Sequence, residues 1–285
     1  MEEGSFRSNI AVVGLGLIGG SYAMALNKGK AGRVSGIDID EKVLEKAFNS
    51  GTIVKGSTDA GEILRNSDIV IISLYPRETI EFISKNAENF KSGAIITDTC
   101  GIKQPIIEAA LNCLPESVEF LGGHPMAGNE FQGFDAASGD LFLNTNYILT
   151  PNESNTEKGI RTMERLAALI GCNRVTRIQA AEHDRMISFT SQLPHIVAIS
   201  LANLATDENG MKAFTGRSFM DATRVAVLNR KLWSQIFRMN NLNIIDRIED
   251  MEYMLAKLKR AISEQDDSSL QLLFENAVKG KREMC

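Results

Sequence analysis

The sequence predicts an α/β fold, a doubly wound parallel sheet followed by an all-helical region, and three observations predict it. Residues 9–25 read NIAVVGLGLIGGSYAMA, an apolar strand, then glycines at Gly14, Gly16 and Gly19, then the start of a helix. Apolar runs and helical stretches alternate from there to residue 178, the pattern of successive β–α–β units. From residue 180 onward no strand pattern remains.

A strand, G-x-G-x-x-G and a helix in that order form the dinucleotide-binding fingerprint of a Rossmann-type sheet. Gly14 allows the tight turn, Gly16 lets the backbone approach a pyrophosphate, and Gly19 lets the helix pack on the strand. Leu17 and Ile18 complete the loop at a helix N-terminus, where unpaired N–H groups and the macrodipole favour negative charge. A second apolar run, 33–39, carries Asp38, 19 residues past Gly19. By itself Asp38 would be an ordinary turn residue; at this distance from a glycine loop it is placed to accept hydrogen bonds from a ribose. No Arg or Lys immediately follows it, and a carboxylate repels a 2′-phosphate, so NAD is expected over NADP.

The remaining elements follow in order. A helix is expected over 41–49, a short strand at 53–54 and a short helix over 62–66. The run 68–74 (DIVIISL) reads as a central strand covered on both faces. Pro76 closes it, a helix follows over 78–89, and a strand at 94–97 leads into the turn 98–101. A helix over 105–114 and a strand over 118–121 come next, then the loop GGHPMAG at 122–128. Strands at 146–150 and 174–178 with a helix over 157–170 complete the sheet. Ligands of such sheets collect outside the carboxyl ends of the strands. Gly14–Gly19, Ser73, Leu74, Thr99 and His124 all fall there.

Beyond residue 180, the stretch 181–206 is a long apolar helix in which Pro194 is expected to cause a kink. Its polar residues His183, Asp184, Ser188, Ser191, Gln192 and His195 keep returning to one face. A second long helix over 243–261 carries an apolar stripe through Ile245, Ile248, Met251, Leu255, Leu258 and Ile262, and a short helix covers 269–278. So much apolar helical surface is expected to be covered by a second subunit, giving a homodimer. The chain thus divides into a dinucleotide-binding domain, 1–177, and a helical domain for substrate and dimerisation, 178–285.

Composition narrows the function. The net charge is −5, with 36 acidic residues against 31 Lys and Arg, and no basic stripe with interleaved aromatics occurs, so nucleic acid is not an expected partner. The four cysteines form no C-x-x-C pair and there are only three histidines, so neither a metal site nor a disulfide framework is expected. A reducing, cytoplasmic setting fits. The acidic, polar residues 1–9 do not read as a signal peptide, and no apolar run is long enough to span a membrane.

His124, just after a strand at the ligand edge, can accept a hydroxyl proton while a hydride leaves the same carbon; otherwise it is a structural turn histidine. His195, beside Pro194, could line the same crevice, and His183 reads more readily as structural. Arg224, in SFMDATRVA, has the planar fork that holds a carboxylate bidentately, or else forms an internal salt bridge, for instance to Asp221 or Glu130. Trp233 reads equally as a site residue or a packing anchor.

The segments VVGLGLIGGSYAMAL, ITDTCGIK, FLGGHPMAGNE, AAEHDRMISFTSQLPHIVA and FMDATRVAVLNRKLW resemble, in order, those of the prephenate dehydrogenases of tyrosine biosynthesis, a family that includes arogenate dehydrogenases. The combination of GGHPMAG, S-x-LPH and D-x-TR carries the specificity. The resemblance implies an enzyme that converts prephenate, NAD-dependently, to 4-hydroxyphenylpyruvate, CO2 and NADH, with arogenate as the alternative substrate. It implies that His124 is the catalytic base, that Arg224 holds a substrate carboxylate with Glu130 near it, and that His195, Gln192 and Trp233 line the substrate pocket. It also implies that the helical domain dimerises. Two departures stand out. Gly101 replaces a serine that in many members bonds the catalytic histidine, and Gln192 replaces the first histidine of S-H-LPH. Two rivals remain: a β-hydroxyacid-type dehydrogenase, which would use a lysine base, and a non-catalytic NAD-binding protein.

Overall fold

The computed structural model describes residues 8–128, 131–205 and 210–283. Strand β1 (Ser8–Val13) leads through the glycine turn into α1 (Leu17–Lys28), then β2 (Gly32–Ile37) and α2 (Glu41–Asn49). After β3 (Lys55–Ser57) and α3 (Gly61–Arg65) come β4 (Ile69–Ile72), α4 (Pro76–Asn86), β5 (Ile95–Asp98), α5 (Gln104–Cys113) and β6 (Glu119–Phe120). These six strands form one parallel sheet in the order β3-β2-β1-β4-β5-β6. The order reverses between β1 and β4, which is where such a sheet opens a crevice for a ligand. Residues 10–13 pair with 69–72, and all eight are buried. Both strands read as unbroken apolar runs because helices cover both faces.

The expected short strand at 53–54 lies instead at Lys55–Ser57; Ile53 is a core side chain packed into the angle before it. A larger difference concerns the end of the first domain. The segment expected as the loop GGHPMAG begins as a strand, β7 (Gly122–Pro125), antiparallel to β8 (Asn146–Thr150), which in turn is parallel to β9 (Arg174–Arg177) across α6 (Glu157–Leu169). These three strands form a separate sheet. The chain changes sheets at Leu121, whose N–H still bonds Ile96 of β5. The glycine pair makes this close passage possible: a Cβ on Gly123 would lie 2.5 Å from the Tyr147 hydroxyl and 2.8 Å from Thr97 Oγ1. His124 is thus held by strand pairing, opposite Ile148.

From Ala180 the described chain is helical. Helices α7 (Ala180–Ile187) and α8 (Leu193–Leu204) are continuous through a π-helical turn, Ser188–Gln192. The irregularity expected at Pro194 is this wider turn just before it, where the missing proline N–H is accommodated within the first turn of α8. Then come α9 (Arg217–Thr223), α10 (Arg230–Met239), α11 (Asn241–Ser263) and α12 (Asp267–Glu283).

Helix α10 docks on the ligand edge of the large sheet. Gln235, buried there, accepts from the Arg77 N–H at 2.9 Å and donates to Glu78 at 2.9 Å, and Asn229 donates to the Tyr75 hydroxyl at 2.6 Å. Ile236, Leu232 and Trp233 pack into the apolar cluster that contains Ile72, Cys100 and Ile102.

Candidate active site

The carboxyl ends of β1, β4, β5 and β7 meet α8 and α10 around a cleft of about 770 Å³. Gly16, Leu17 and Ile18 line it from the glycine turn, Ser73, Leu74 and Thr99 from the next two strand ends, and His124 from the small sheet. Gln192, His195, Arg224 and Trp233 line it from the helical side. Eleven of the fifteen residues singled out from the sequence therefore line one wall or the other. Of the remaining four, Gly14, Gly19 and Asp38 do not line the cleft but build or brace the glycine turn, and Glu130 falls outside the described residues.

The glycine turn is built to bring backbone close to a ligand. Gly14 has φ of 82°, and a Cβ there would meet Ser73 O at 2.5 Å. A Cβ on Gly19 would strike Gly14 O at 1.9 Å, so α1 packs on the turn itself. Gly16 has no neighbour within 4 Å of where its Cβ would stand, and as the residue before α1 it offers no side chain to cap the helix. The first N–H groups of α1 thus face open space, a fit for a pyrophosphate. Asp38 at the end of β2 accepts from the Leu15 N–H at 2.7 Å and the Asp40 N–H at 3.0 Å. Its carboxylate secures the turn, with lone pairs remaining for a ribose hydroxyl.

His124 Nδ1 lies 2.9 Å from His183 Nε2, and His183 Nδ1 lies 2.7 Å from Asp184 Oδ1. Burial holds the His124 pKa well below the usual histidine value, helped by His183 and the Lys103 ammonium, so the ring is neutral near pH 7. His183, read from the sequence as structural, thus touches the residue read as the base. Its adjacency to Asp184 was the one signal available.

Lys103, within the apolar stretch 102–107, is wholly buried; its ammonium pairs with the buried Asp98 and donates to Gly123 O at 2.6 Å. Asp98 Oδ1 in turn accepts from Gly123 N–H at 3.4 Å. A buried ammonium has to find a partner, but in the sequence IKQPII, where the neighbouring Gln104 is exposed, nothing marked Lys103 as buried.

On the helical side, the His195 ring stacks on Trp233 with centres 3.8 Å apart, and His195 Nδ1 lies 2.8 Å from Ser191 O. The Nδ1 hydrogen is therefore donated to that carbonyl, leaving a lone pair at Nε2. Burial lowers the His195 pKa, the bond to Ser191 opposes this, and Arg224 lowers it further. Arg224 itself is exposed, and among the described residues it makes no ion pair, with Asp221 or any other.

Gln192 is 1% exposed. Its Oε1 accepts from Asn240 at 2.7 Å, while its Nε2 finds no partner among the described residues. The orientation is set by Asn240, whose amide nitrogen also donates to Asp184 O and whose oxygen accepts from Asn243.

A cleft of this kind, at the carboxyl edge of a Rossmann sheet with a neutral imidazole on its wall, belongs to an NAD-dependent dehydrogenase. Family comparisons narrow the class. The model described as prephenate dehydrogenase, nucleotide-binding domain, matches residues 23–176, and that described as prephenate dehydrogenase, dimerization domain, matches 179–276. The chain belongs to the prephenate dehydrogenase family. It is 31% identical over 278 residues to the prephenate dehydrogenase of Bacillus subtilis, covering 95% of this chain and 74% of that one. To the cyclohexadienyl dehydrogenase of Zymomonas mobilis it is 30% identical over 281 residues, 96% and 94% of the two chains. The prephenate dehydrogenase of Aquifex aeolicus in complex with hydroxyphenyl propionate and NAD+ superposes with a TM-score of 0.90 at 28% identity, over 100% of both chains.

Proposed function

We propose that this chain oxidatively decarboxylates prephenate to 4-hydroxyphenylpyruvate and CO2, with NAD as the cofactor. The observation that carries the reading is the meeting of glycine turn, His124 and Arg224 at one cleft. Gly14, Gly16, Leu17, Ile18 and Gly19 hold the pyrophosphate, Asp38 a ribose, and Ser73, Leu74 and Thr99 the floor beneath the nicotinamide. NAD, when bound, supplies the hydride acceptor. His124 takes the proton of the 4-hydroxyl as the C4–H bond breaks, and holds it for the phenolic oxygen once loss of CO2 aromatises the ring. Arg224 grips a substrate carboxylate from the helical wall. His195 on Trp233 presents an acceptor to the remaining polar groups, and Gln192 Nε2, without a partner among the described residues, a donor. Glu130 belongs to this set by resemblance.

The domains divide the work, 1–177 for the dinucleotide and 178–285 for the substrate and a homodimer contact. In support, the second matched family model is described as a dimerization domain, and α11 and α12 expose Ile245, Leu255, Ile262, Leu272 and Phe274. Large apolar side chains left exposed along both helices support an association face there. Light scattering that gives a monomer mass at micromolar concentration would remove the dimer. A cytoplasmic setting accords with the free thiols of Cys100, Cys113 and Cys172, and no described helix is long and apolar enough to cross a membrane.

The test of function is a rate comparison of prephenate and arogenate, each with NAD and NADP, followed by NADH absorbance. Prephenate with NAD is expected to be fastest. Turnover of arogenate alone would replace the substrate, and cofactor binding with no turnover of either would leave a non-catalytic protein.

A further inference from the structure

With Gly101 in place of a serine beside the base, some other group must decide which nitrogen of His124 carries its hydrogen. A Cβ on Gly101 would stand 3.8 Å from His124 Nε2, so that edge of the ring faces the cleft with no side chain against it from this position. The opposite edge meets a chain of bonds whose direction can be worked out from its far end. The Asp184 carboxylate accepts from two N–H groups at the start of α5, Lys103 at 2.8 Å and Gln104 at 2.9 Å. With both oxygens receiving amide hydrogens, it meets His183 as an acceptor. His183 Nδ1, 2.7 Å from Asp184 Oδ1, must then carry a hydrogen.

A neutral imidazole has a single N–H. His183 is neutral because burial lowers its pKa; the bond to Asp184 opposes this, and Lys103 lowers it further against Asp98. These residues, with His124, are the titratable groups facing it from α7, α5 and the two sheets. Its Nε2 is therefore bare and accepts from His124 Nδ1–H across 2.9 Å. The His124 lone pair is left at Nε2, on the cleft side. A ring with the other tautomer would point a hydrogen at the substrate and could not take a proton there.

We propose that His183, backed by Asp184, is the positioning residue that fixes His124 in its base-competent tautomer, the task otherwise left open by Gly101. The pair comes from the helical domain, and Asp184 is simultaneously bonded to the first turn of α5 in the sheet domain. Docking of the two domains and readiness of the base are thereby one event. As His124 becomes an imidazolium, its Nδ1–H bond to His183 strengthens, and no further proton transfer is required.

This inference rests on His124 being the base of the proposed reaction, but its first test needs neither substrate nor cofactor. Nitrogen-15 NMR of histidine-labelled protein, above the pH at which His124 protonates, is expected to show the Nδ1–H tautomer for His124. In His183→Leu that tautomer is expected to give way to a mixture, whereas His183→Gln, whose Oε1 can accept from Nδ1–H, retains it. In turnover, His183→Leu is expected to lower kcat about 10²-fold with KM for both ligands within about threefold, and His183→Gln to restore about tenfold of that loss. An Nε2–H tautomer in the unsubstituted protein overturns the proposal. So does wild-type kcat in folded His183→Leu. If His183→Leu does not fold, the tautomer of the unsubstituted protein decides. If prephenate is not turned over, the tautomer result still stands and the failure belongs to the substrate assignment.

Discussion

The Lys103 ammonium reaches the Gly123 carbonyl at 2.6 Å, one residue before His124, while pairing with Asp98 in the same buried pocket. Both charged side chains are wholly inaccessible to solvent. Removing one partner of such a pair leaves the other charge buried and uncompensated, at a cost of about 3–5 kcal/mol. Lys103→Met is expected to lose stability of that order in urea unfolding, and Lys103→Met with Asp98→Leu to regain part of it. Equal midpoints for Lys103→Met and the unsubstituted protein would show that the pair contributes little.

His124→Asn removes the base but keeps a small polar side chain in β7. Turnover is expected to fall by about 10²–10⁴-fold, with NAD affinity, measured by fluorescence quenching or calorimetry, unchanged. Turnover near the original rate would take the base assignment away from His124.

Arg224 is exposed and makes no ion pair among the described residues, so its loss should leave the fold intact. Arg224→Gln is expected to raise the substrate KM at least about tenfold with a smaller effect on kcat, the pattern of a lost ground-state contact. An unchanged KM with a lowered melting temperature would point to an internal ion pair instead.

The glycines of the turn make contrasting predictions. Gly16 has open space around its missing Cβ, so Gly16→Ala should unfold at the same temperature but bind NAD more weakly, because the methyl group occupies the approach to the helix start. A Cβ on Gly19 would sit 1.9 Å from Gly14 O. Gly19→Ala is therefore expected to cost about 1–3 kcal/mol of stability through overpacking. Calorimetric unfolding together with NAD titration of both variants checks the contrast.

The pH dependence follows from the lowered pKa of His124, caused by burial and then by His183 and Lys103. The base works unprotonated, so kcat/KM should fall as pH drops through a value below the ordinary 6.5 of histidine. Stability has the same sign. Unfolded histidines protonate first as pH falls from about 6.5, the unfolded chain then binds more protons than the folded one, and stability is lost on the acid side. A kcat/KM profile whose acid limb lies above 6.5 would contradict the environment assigned to His124.

The sequence alone determined the parts of this protein whose physics is local. A strand, three spaced glycines and a helix need only their own order to place a dinucleotide turn, and α2 lies at 41–49 as the helical periodicity predicts. The apolar runs at β1 and β4 announced central strands because burial on both faces leaves no alternation. Tertiary structure decided what depends on residues far apart in the chain. His124 and His183 are 59 positions apart and Lys103 and Asp184 are 81 apart, and no periodicity encodes such bonds. The separate small sheet came from β7 pairing with β8 and β8 with β9, the orientation of Gln192 from Asn240, 48 positions on, and the partner of the base from the docking of α7 onto the sheet edge. That docking is specified by the fit and hydrogen bonding of whole surfaces rather than by any one stretch of sequence.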